Sequence, residues 1–162
     1  MSNRTRAGLP FPSDEWDLLV RLPGRVAVAA TSAEPDTSRR TLVEGAAGAE
    51  AIAAARGSDS RLVRGVAETI DEGADNDPPA AEEFSDREAA IAGVLDACRL
   101  AAASLAAHAE PADSGAYRAW IESIAESVCQ ASRSGGVLGL GGVTISPAER
   151  RFLDDLAAAF EC

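Results

Sequence analysis

The chain has 162 residues and a formal net charge of −11, and 46% of its residues are hydrophobic but only 4% aromatic. That length suffices for one domain with a sizeable core. The acidic balance speaks against binding nucleic-acid backbones, and the absence of any lysine excludes a Schiff-base or P-loop lysine.

Residues 1–12 read as an irregular arm with an apolar tip, "LPFP". No apolar core of a secretory signal precedes the acids, and no alanine-rich run is long enough for a membrane span. Ser13 offers an N-cap ahead of Asp14 and Glu15, acids that the helix dipole favours there. Trp16, Leu19, Leu22 and Val26 follow at helical spacing, with Pro23 expected to kink or split the helix. "TSAEPDTS" is a turn-rich connection.

A second helix is expected from Ser38 to Arg56, built on small residues that include Gly45, Gly48 and Ala49. Glycine inside a helix costs about 1 kcal/mol relative to alanine, so another helix is expected to pack closely over these positions. Gly57 stops the helix, and Ser58 or Ser60 caps a third carrying Leu62, Val63, Val66 and Ile70. Residues 73–84 are acidic, proline-bearing and poor in apolar groups, which reads as a linker between an N-terminal half (13–72) and a C-terminal half (85–162).

"SDRE", residues 85–88, reads as a capping box, with Ser85 as N-cap and Glu88 as its reciprocal partner. The helix it opens carries Ile91, Val94, Leu95, Cys98, Ala102 and Leu105 on one side, and "EPADSG" breaks it. The next helix sets Tyr117, Trp120, Ile121, Ile124 and Val128 against Arg118, Glu122 and Glu126, with Trp120 as a core residue. "SPAE", residues 146–149, is a second capping box with Pro147 at the favoured first position. Phe152, Leu153, Leu156 and Phe160 give that last helix its apolar face. The expected architecture is an all-α compact bundle of about five to seven helices.

Between these last two helices runs "SRSGGVLGLGGVTISPAERRF". A dinucleotide fingerprint fails there, because Thr144 stands where the third glycine belongs and a helix precedes it. A phosphate-binding P-loop fails too, because Gly142 follows where lysine is required. The glycines fit a helix–loop–helix connector, with Val137, Leu138 and Leu140 tucked down as an apolar plug.

Helix, glycine-bearing turn, Ser-x-x-Glu cap and terminal "FLDDLAAAF" helix, together residues 121–160, resemble the helix–loop–helix units of the TerB (tellurite-resistance) type, with a fainter echo at 26–44. The resemblance implies a compact all-α protein linked to stress response and membrane-associated complexes, with acidic loops associated with metal. The 133–145 loop holds no carboxylate, so a metal role does not carry over to it.

Other constellations are weaker. His108 is the sole histidine, with Asp113 close in sequence, but a helix end favours histidine electrostatically. Cys98, Cys129 and Cys162 lack CxxC spacing and suit thiols of a reduced cytoplasmic protein, with a Cys98–Cys129 bridge left open. Asp71, Glu72, Asp75 and Asp77 miss the calcium-loop pattern, since Asn76 occupies its sixth position. No catalytic set is recognisable, and no cofactor is expected.

The leading expectation is a non-enzymatic cytoplasmic helical protein that binds another protein or a second copy of itself. Phe11, Trp16, Leu138 and Leu140 are its candidate interface residues, Trp16 being expected at a partner surface beside the arm. One alternative is an apolar ligand or cofactor held between helices under the 133–145 loop. Another is a TerB-like stress protein binding divalent metal through the acidic linker.

Overall fold

The computed structural model describes residues 9–33, 38–73, 86–134 and 145–161, apart from the side chains of 38–42 and 132–134. The described residues form six α-helices and no strand: α1 Ser13–Ser32, α2 Ser38–Ala54, α3 Arg61–Asp71, α4 Arg87–His108, α5 Pro111–Ser134 and α6 Pro147–Ala159. A 3-10 turn, Ala55–Gly57, joins α2 to α3. The all-α bundle expected from composition is what forms.

The helix ends show which local signals acted. Ser146 and Glu149 make the expected reciprocal cap at the start of α6, and the Ser60 hydroxyl accepts the Val63 N–H at 3.3 Å to cap α3. Two other starts differ from expectation. The N-cap of α1 is Pro12 rather than Ser13, because the Pro12 carbonyl already accepts the Trp16 N–H at 2.9 Å. That of α4 is Asp86 rather than Ser85, its carboxylate accepting the Ala89 N–H at 3.2 Å, so Glu88 has no box to complete. The break between α4 and α5 spans only Ala109 and Glu110, because Pro111 is well suited to open a helix.

Helix α1 neither splits nor stops at Pro23. Proline has no N–H, so the Leu19 carbonyl four residues back loses its helical donor. The buried Tyr117 hydroxyl of α5 supplies one instead, donating to that carbonyl at 2.8 Å. The sequence signal that threatened the helix is thus answered from the other half of the chain.

One core cluster draws on both halves. Leu19, Leu22 and Val26 of α1, Val66 of α3, Cys98 of α4, Ile121, Ile124 and Val128 of α5 and Leu156 of α6 are all fully buried. Helix α5 packs most extensively against α2 and α1, while α1 also packs on α4. Trp120 sits in this core as expected, edge-on to Tyr117 with ring centroids 5.8 Å apart and its indole N–H donating to the Ala51 carbonyl at 3.2 Å.

Small residues let α2 come close. A Cβ on Gly48 would lie 3.1 Å from the Ala27 Cβ and 3.2 Å from a Val128 methyl, whereas one on Gly45 would meet nothing within 4 Å. Close packing therefore explains Gly48 and not Gly45. Gly45→Ala is expected to raise stability by up to about 1 kcal/mol through helix propensity alone. At Gly48 the same gain is offset by crowding against two helices, so Gly48→Ala is expected to give none of it. Urea midpoints of the two variants check the contrast.

Candidate functional site

Helix α4 is the most apolar of the helices, and its two sides do different work. Its inner side buries Val94, Leu95, Ala97, Cys98, Ala101, Ser104 and Leu105. Its outer side exposes Ala92, Asp96, Arg99, Leu100, Ala103, Ala106 and Ala107. At 100° per residue, Asp96, Leu100, Ala103 and Ala107 share an arc of about 60°. Leu100 is 64% exposed and Val43 on α2 is 46% exposed, the large apolar side chains left outside among the described residues. Asp96 and Arg99 form an ion pair at 2.5 Å beside Leu100.

By length and composition this helix is also apolar enough to cross a membrane, with a mean hydropathy of 1.5 over 18 residues, of which 44% are buried in the bundle. The core helix of a bundle passes the same test. The Asp96–Arg99 pair stands in mid-helix, where a bilayer would tolerate it poorly.

At its C-terminal end α4 meets α1. The Ser104 hydroxyl donates to Glu15 Oε2, and His108 Nε2 lies 3.3 Å from the same oxygen. The Phe11 ring stands edge-on to His108 with centroids 5.7 Å apart. Both polar groups converge on the carboxylate, so the serine proton is directed to Glu15 and not to the imidazole. The arrangement clips two helices together; it does not pair a nucleophile with a base. Asp113, the other neighbour considered for His108, instead accepts the Ser60 hydroxyl at 2.6 Å.

Of the candidate interface residues, Phe11 and Trp16 are not outward-facing. They are 3% and 5% exposed, with ring centroids 6.2 Å apart. This corrects the expectation of a partner-facing Trp16. The ring lies against α3 at Gly65, where even a Cβ would stand in ordinary contact, 3.5 Å from both Trp16 and Leu9. Phe11 and Leu9 of the "LPFP" tip thus fold back onto the core, while Pro10 and Pro12 stay exposed. Leu138 and Leu140 lie outside the described residues, as do most of the acidic linker and the glycine-rich loop.

A groove of about 360 Å³ opens between α5 and α6. Glu122, Glu126, Arg150 and Asp154 line it together with Ile145, Leu153, Leu156 and Ala157, so charged and apolar groups share its wall. Among the described residues no three His, Cys, Asp or Glu side chains stand together as a metal set. Asp71 forms an exposed ion pair with Arg56 at 3.0 Å.

Cys98 and Cys129 are buried thiols, not a disulfide. Burial pushes the Cys98 thiol from 9.0 up to about 12, against a smaller opposing pull from Arg25 and Arg99. Its stabilising share is therefore complete below pH 9 and is lost as pH climbs from 9 towards 12, where the unfolded chain ionises first. Cys98 is accordingly expected to resist iodoacetamide at neutral pH and to react once urea unfolds the chain, as peptide mass spectrometry would show.

No protein-family model, curated protein or solved structure matches this chain, so none bears on the TerB-like resemblance.

Proposed function

We propose that this chain is a non-enzymatic helical interaction protein whose contact surface is the outward side of α4. The observation that carries the reading is Leu100, 64% exposed in the middle of the most apolar helix and flanked by exposed Ala103 and Ala107. Full burial of an exposed leucine is worth about 1.5–3 kcal/mol, and at 64% exposure Leu100 forgoes the larger part of that. Alanines around it let a second helix approach closely and bury it.

A photo-crosslinking amino acid placed at Leu100 tests this in the producing cells, with the exposed α6 position Asp155 as control. The expected result is a discrete protein adduct from position 100 and none from 155. No adduct from position 100, or the same smear from both positions, would overturn the proposal.

A further inference from the structure

We infer that the partner covering the outward side of α4 is a second copy of this chain, docked antiparallel about a two-fold axis; this rests on the reading of that side as a contact surface. Two copies carrying −11 each repel one another over most approaches. The α4 side is an exception, because between Ala92 and Ala103 its charges are one acid, Asp96, and one base, Arg99. They are also placed for self-recognition, since a two-fold contact must match the same patch to itself.

An antiparallel axis midway between Ala97 and Cys98 sets Asp96 of each copy opposite the second copy's Arg99. The same register sets Ala92 opposite the second copy's Ala103. Each Asp96–Arg99 pair, already closed at 2.5 Å within one helix, then becomes half of a four-charge ring. Leu100 lies about 4 Å along the helix from the axis, so the Leu100 side chains of the two copies flank it. The stretch matched to itself about this axis, 92 to 103, is only about 18 Å long. One helix face of that size falls below the roughly 800 Å² per partner of a standard interface. The dimer is therefore weak and concentration-dependent.

Sedimentation equilibrium of the purified full chain over a wide concentration range is the experiment, joined to a charge exchange. The wild type is expected to move from monomer to dimer mass as concentration rises. Asp96→Arg alone and Arg99→Asp alone each place like charges across the axis, and each is expected to stay monomeric with unchanged helical circular dichroism. Mixed in equal amounts, the two variants are expected to regain the dimer, because each copy now supplies the charge that the other lacks. A wild type that is monomeric throughout, single variants that still dimerise, or a mixture that fails to do so would overturn the inference. An adduct at position 100 with the mass of a different protein, alongside a monomeric purified chain, overturns self-docking and leaves the contact surface standing. Absence of any adduct removes both.

Discussion

Trp120→Ala is expected to destabilise the fold by about 3–5 kcal/mol, the usual cost of removing a large aromatic side chain from a core. The indole is 8% exposed, packs edge-on against Tyr117 and donates to the Ala51 carbonyl, so it joins α5 to α2 by both area and polarity. Area dominates, because a neutral hydrogen bond contributes only about 0.5–1.5 kcal/mol net. Trp120→Phe keeps most of the apolar contact and loses the bond, and should therefore fall well short of the alanine variant. Urea unfolding followed by circular dichroism gives both values. Domains of this kind hold about 5–15 kcal/mol in all, so the alanine variant should populate unfolded chain at mild heating. An alanine cost below that of phenylalanine would mean that Trp120 is not the core contact described.

Tyr117→Phe removes one oxygen, yet a loss of about 1–3 kcal/mol is expected, because a buried acceptor is left unmet. The acceptor is the Leu19 carbonyl, orphaned by Pro23 within α1. This mechanism predicts a coupling that packing alone does not. In a Pro23→Ala background, position 23 again carries an N–H that can reach Leu19, so Tyr117→Phe should cost markedly less. A double-mutant cycle from denaturant midpoints measures the coupling. Equal costs in both backgrounds would show that the hydroxyl does not stand in for the missing donor.

These two residues also mark how far local pattern carried. The Trp120 face, the Ser146 cap and the number of helices follow from contacts three and four residues apart, which sequence spacing encodes directly. The Tyr117–Leu19 bond joins residues 98 apart and the Ser104–Glu15 bond residues 89 apart. No spacing rule announces such pairs. The burial of Trp16 escapes local pattern for the same reason, since its ring packs against α3 at Gly65, 49 residues away. The outer side of α4 was partly legible. Leu100 falls off the stripe of Val94, Leu95, Cys98 and Leu105, but the alanines around the helix blur the contrast between its faces.

The placement of α1 between α4 and α5 has a consequence for how the chain reaches this state. Its main packing partners lie in the later half of the sequence, so while that half is still being synthesised Leu19, Leu22 and Val26 have few surfaces to bury against. Helices of the earlier half can flicker into existence early, but they cannot be locked until α5 arrives. Contacts between the two halves set the pace, and folding should be slower than helix content alone suggests. Either half produced alone would leave its core face open to water, and recovery of the native bundle would require both pieces in the same vessel.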